Sequence, residues 1–100
     1  MATFTYGPAG QAVTIDDRTL AHLRAVIVAK FRRSESFLFT WMADADAVTQ
    51  HSVWMHPAIS VSFDLDTAAV RPLNPAWLDI LTKAANSGPG LTPLPEPSRS

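Results

Sequence analysis

Between Asp17 and Arg33 the chain reads DRTLAHLRAVIVAKFRR, its one long segment with sustained helical periodicity. Leu20, Leu23, Ile27 and Phe31 recur at three- and four-residue steps, which place side chains on one face of a helix. Val26 and Val28 widen that stripe, while Arg18, His22, Ala25, Ala29 and Arg33 fall on the far side. Asp16 and Asp17 stand where an N-cap belongs, since a short carboxylate accepts from first-turn N–H groups and suits the positive end of the helix dipole. Lys30, Arg32 and Arg33 oppose the negative end. A helix with one apolar stripe has to bury it, so the short alternating segments on either side are read as a sheet on which it lies. Arg24 falls inside the apolar arc. Either its stem lies along the core edge with the guanidinium in water, or Asp64 or Asp66 on a neighbouring strand pairs with it.

Residues 3–6 and 12–15 alternate polar and apolar around Gly7-Pro8-Ala9-Gly10, which predicts an N-terminal hairpin with Phe4, Tyr6, Val13 and Ile15 on one side. After Ser34-Glu35 the period changes to two: Phe37, Phe39 and Trp41 share one face of a strand, and Leu38, Thr40 and Met42 the other. Residues 43–50 (ADADAVTQ) read as a hairpin loop, and Ser52–His56 as a fourth strand ended by Pro57, which has no N–H for a ladder. Ile59, Val61, Phe63 and Leu65 alternate with Ser60, Ser62, Asp64 and Asp66, the pattern of a strand with one buried face. Asn74-Pro75 opens a second helix, with the asparagine as cap and the proline where no donor is needed. Trp77, Leu81, Ala84 and Ala85 form its buried face, and Asn86-Ser87-Gly88-Pro89 stops it. The expected architecture is α+β: one mostly antiparallel sheet, order ββαβββα, with two helices packed on one face. Residues 1–90 form a single domain in this reading, and residues 91–100 a Pro-rich C-terminal tail.

The absence of cysteine excludes a disulfide scaffold, a thiol nucleophile and thiolate zinc sites, and fits a reducing, cytoplasmic setting. No apolar run is long enough to span a membrane, and the N-terminus lacks the basic start and apolar block of a signal peptide. With a net charge of −1 the whole chain is not a strongly electrostatic nucleic-acid binder. The charge is uneven, however. Five of the eight Lys and Arg residues lie between Arg18 and Arg33, and residues 44–66 carry four Asp and no Lys or Arg.

Residues that could carry chemistry are few. His51 and His56 lie five apart around a strand and point to opposite faces, which is poor geometry for a shared metal. Asp44/Asp46 and Asp64/Asp66 are carboxylate pairs without a third ligand or a glycine-bearing loop. There is no nucleophile elbow and no phosphate-binding loop. No catalytic residue, cofactor or metal site is therefore expected. Two surfaces stand out instead. The first is the basic side of the helix, Arg18, His22, Lys30, Arg32 and Arg33, which could meet phosphate. The second is the outer sheet face, where Leu38, Met42 and Trp54 point away from the helices beside His56, as a dimer contact, a protein-binding anchor or a stacking platform, unless the tail roofs it. The expected function is a non-enzymatic interaction module that self-associates through a sheet edge or the Trp54 face. The rival is a nucleic-acid-associated accessory protein using the basic helix.

Three segments together, DDRTLAHLRAVIVAKFRRSESFLFTW, SVWMHPAISVSF and LNPAWLDILTKAANSGPGL…PEP, resemble a family of small uncharacterised actinobacterial proteins. The similarity runs from FTYG through PEP, nearly the whole chain. It implies a stable intracellular domain and supplies no site residues. Some members carry an automatic label of ATP-dependent DNA ligase. The K-x-D-G motif of nucleotidyl transfer is not found here: Lys30 is followed by Phe-Arg-Arg and Lys83 by Ala-Ala-Asn.

Overall fold

The computed structural model describes residues 2–7, 10–42, 50–66 and 72–97, with the backbone alone at residue 11. The elements are β1 (Ala2–Tyr6), β2 (Gln11–Ile15), α1 (Asp17–Arg32), β3 (Phe37–Met42), β4 (Gln50–Met55), β5 (Val61–Asp64) and α2 (Pro75–Ala85). The α+β class and the order ββαβββα are those expected. The loop at 43–49, with Asp44 and Asp46, and the last three tail residues lie outside the described residues.

The expected single sheet is instead two. β2, β1 and β5 form a three-stranded antiparallel sheet with β1 at its centre, and β3 and β4 form a separate antiparallel hairpin. The cause lies at His56-Pro57. A tight turn there, closed by the Ile59 N–H donating to the His56 carbonyl at 3.0 Å, carries the chain away from β4. β5 then pairs with β1 in the register Phe4↔Phe63, and the two rings stack with centroids 5.3 Å apart. Phe4 also meets Phe39 edge-on at 5.7 Å, so one fully buried ring joins both sheets. β5 is shorter than the segment read as a strand, and its apolar side is half-buried rather than buried; Ser60, Ser62, Asp64 and Asp66 face water as expected.

α1 begins where its capping residues dictate, the Asp16 carboxylate accepting from the Thr19 N–H at 3.2 Å. It ends in a paired-bond stop: the Ser34 N–H donates to Phe31 O at 2.9 Å and the Glu35 N–H to Lys30 O at 3.0 Å. That geometry needs a left-handed residue, and Ser34 supplies it at φ 58°. Leu20, Leu23 and Ile27 are buried as read. The far side departs from expectation: His22 is fully buried and Lys30 nearly so, while Val28 is exposed. The reason is α2. His22, Val26 and Lys30 follow one another at four-residue steps, and this second stripe lies against α2, with His22 at its N-terminal end and Lys30 at its C-terminal end. Arg24 is half-buried, and among the described residues no carboxylate pairs with it.

After α2 the chain does not leave the fold. The Leu91 N–H donates to Leu38 O at 2.8 Å and Leu91 O accepts from the Thr40 N–H at 2.9 Å, a parallel bridge to Phe39 on the free side of β3. Leu91 itself is fully buried. Gly90 makes this approach possible. It sits at φ 88°, and a Cβ there would lie 2.3 Å from the Leu38 carbonyl oxygen.

Candidate functional site

The polar residues singled out on α1 are largely engaged in holding the protein together. Arg18 makes a two-bond pair with Glu96, with its Nε and one terminal nitrogen each 2.9 Å from a carboxylate oxygen. The Asn74 side-chain amide donates to the same carboxylate and to Pro97 O, both at 3.0 Å, while its oxygen caps α2 through the Ala76 N–H. His22 closes the network. Its Nε2 accepts from the Asn74 N–H at 2.8 Å, and its Nδ1 lies 2.9 Å from Arg18 O, so the neutral ring protonated at Nδ1 satisfies both. The imidazole lies against Trp77 with centroids 4.3 Å apart, and the Trp77 indole N–H donates to Leu94 O at 3.0 Å. Residues 91–97 are thereby clamped across α1 and α2. The Arg18 guanidinium, and then the Asn74 amide, hold the Glu96 carboxyl at about 2.

Lys30 forms a second fastening. Its ammonium donates to the Asn86 side-chain oxygen at the end of α2 and pairs with Glu35 at 2.9 Å. The hydrogen bond from Lys30 keeps the Glu35 carboxyl below its ordinary value. Of the five basic residues singled out along this helix and its cap, Arg32 and Arg33 remain exposed, and Arg33 approaches Glu35 at 3.5 Å. Sequence reasoning missed both fastenings because each joins residues more than fifty positions apart, or places Glu96 in a segment with no periodicity. The one legible signal was Asn74-Pro75, a helix cap whose amide group had donors left over.

The outer face of the β3–β4 hairpin is different in kind. Trp54 is 58% exposed and Met42 46%, on the same face as Leu38, Thr40, Gln50 and Ser52. Residues 91–97 leave Trp54 uncovered, and Leu91 bonds to the far edge of β3. Trp54 stands opposite Leu38 and borders a groove of 330 Å³ whose other walls include Lys30, Phe37, Asn86 and Ser87. The Tyr6 hydroxyl donates to the Trp54 carbonyl and pins the strand, not the indole. His56 is exposed two residues on, its Nδ1 accepting from the Ala58 N–H at 3.0 Å within the turn. On the inner face, His51 stacks on Trp41 at 5.5 Å. The three histidines thus lie apart, His22 buried between the helices, His51 on the inner face and His56 in the turn, and no three His, Asp or Glu side chains gather in metal-binding geometry among the described residues.

A family model described as a domain of unknown function, DUF7882, matches residues 1–96. The chain belongs to that family. The DUF7882 match extends through Glu96, so it includes the clamp as well as the hairpin. Neither the curated proteins nor the solved structures contain a match to the chain. No helix among the described residues of this DUF7882 domain is long and apolar enough to cross a membrane.

Proposed function

We propose that this DUF7882 domain is a non-catalytic interaction module that works by self-association through the outer face of its β3–β4 hairpin. One observation carries the reading: the largest side chain on that face, Trp54, is 58% exposed on a strand paired along its length with β3, and Met42 is exposed on the same face. An indole left in water on an ordered scaffold is the usual anchor of a protein contact, since its burial brings a large apolar area at little entropic cost. The strand needs no help from the indole to stay in place, because the ladder to β3 and the Tyr6 hydroxyl hold its backbone. Sedimentation velocity across a wide concentration range tests it. The expected result is a concentration-dependent dimer that Trp54→Ala abolishes while costing less than about 1 kcal/mol of stability. A wild-type chain that stays monomeric throughout sinks the reading.

The alternative is a nucleic-acid accessory role, of the DNA-repair kind that the ligase label on similar proteins suggests. It rests on Arg32 and Arg33, the exposed cations at the end of α1. Binding of single- and double-stranded DNA at low and high salt decides it: affinity that falls steeply with salt and is lost in the Arg32→Ala, Arg33→Ala double variant supports that role.

A further inference from the structure

The ladder geometry assigns the self-association contact a specific register. We infer that two copies join edge to edge along β4, antiparallel, with Ser52 of each on the two-fold axis; this rests on the self-association reading above. The backbone directions follow from the tail. Because Leu38 O and the Thr40 N–H point toward Leu91, Leu38 and Thr40 do not exchange hydrogen bonds with their β4 partners, Trp54 and Ser52. The N–H and C=O groups of Gln50, Ser52 and Trp54 consequently point away from β3, along the free edge of β4. Among the described residues, those of Gln50 and Ser52 have no backbone partner, and Trp54 O has the Tyr6 hydroxyl on one of its two lone pairs.

Two of the other edges are protected by recognised devices. Leu91 covers the far side of β3, and β5 carries Asp64 on its solvent face with Asp66 just beyond it; β2 faces Thr92 and Pro93 only across an open groove of 320 Å³ and lacks the exposed Trp and Met that mark the β3–β4 hairpin. β4, reading QHSVWM, has no charged residue and no proline. An unguarded edge is a template for another strand, and a second copy of the same strand is self-complementary under two-fold symmetry.

The register follows from counting bonds. Centring the pair on Ser52 sets Gln50 against Trp54 of the second copy and uses every outward group on all three residues. Centring it one residue either way leaves one of the three without a partner inside the strand. The Ser52-centred register also explains the exposed apolar pair. Since Leu38 lies opposite Trp54 and Met42 opposite Gln50, the row across the joined sheet runs Leu38, Trp54, then Gln50 and Met42 of the second copy. Strands lie about 4.8 Å apart, so the indole covers the stem of that glutamine and extends toward that methionine. Trp54 and Met42, the two most exposed large apolar residues among those described, are brought into one row on each side of the axis.

Residue-resolved amide exchange of the wild-type chain at low and high concentration tests this, alongside sedimentation. Expected at high concentration is a gain of about tenfold or more in protection at the amides of Gln50, Ser52 and Trp54. The amides of His51 and Val53, already bonded to β3, should change little. Ser52→Pro removes an outward N–H without breaking a backbone bond to β3, at the loss of the Ser52–Thr40 hydroxyl pair at 2.8 Å, and Gln50→Lys puts a charge on the edge with that pair intact; both should leave a folded monomer. The chain has no cysteine, so Ser52→Cys should oxidise to a covalent dimer while Thr82→Cys on α2 does not. A dimer that forms with no change at those amides, and that Trp54→Ala disrupts but Gln50→Lys does not, overturns edge pairing and leaves self-association through the face. A chain that never dimerises overturns both.

Discussion

At the scale of single residues, His22 and Gly90 have the least room for change. The Asn74 N–H has the His22 Nε2 as its partner in a fully buried setting. His22→Phe keeps a ring against Trp77 and strands that donor. The expected cost is about 1–3 kcal/mol, the usual penalty of an orphaned buried amide, measured by urea denaturation. Gly90→Ala should cost about as much or more, because the methyl would meet the Leu38 carbonyl and the residue would keep a left-handed backbone. Neither residue announces this in sequence. His22 sits among residues of the helix's polar side, and Gly90 follows a proline in a segment that reads as loop; what fixes both is a neighbour distant along the chain.

At the scale of elements, the helix ends are where sequence and structure agree best. Caps are local, satisfied within three or four residues, so Asp16 and Asn74 could be named from their neighbours alone. The other end of α1 leaves something to improve. Ser34 occupies a left-handed position that glycine adopts without strain, and it is exposed. Ser34→Gly should raise stability by about 0.5–1 kcal/mol, read as a shift in denaturation midpoint with unchanged slope. The face that each helix buries was only half legible. The Leu20–Leu23–Ile27 stripe could be read from periodicity. The His22–Val26–Lys30 stripe could not, since two of its three members are polar and acquire partners only when α2 arrives.

At the scale of the whole molecule, the Arg18–Glu96 pair ties residues 91–97 to the helices, and acid should loosen it. The Glu96 carboxyl titrates at about 2 in the folded chain, below its ordinary 4.5. A depressed acid contributes stability that is complete above 4.5 and is lost as pH falls toward 2. Glu96→Gln should flatten the acid limb of a stability-against-pH curve in that window and lower the plateau above it. Removing residues 91–100 should do more, exposing Phe39 and the edge of β3 along with the loss of a fully buried Leu91. Thermal unfolding of the shortened chain is expected at a markedly lower temperature.

Local chemistry in the sequence was enough to place the two helices, their N-caps and the strand faces, because periodicity and capping act within one or two turns of chain. Tertiary structure decided the rest. It split the strands into two sheets at Pro57, turned Arg18 and His22 of the basic helix surface into a clamp for residues 91–97, and left β4 with an unguarded edge. Each of those outcomes depends on which distant groups meet, and pairing between distant groups is what hydrophobic pattern and residue type leave open.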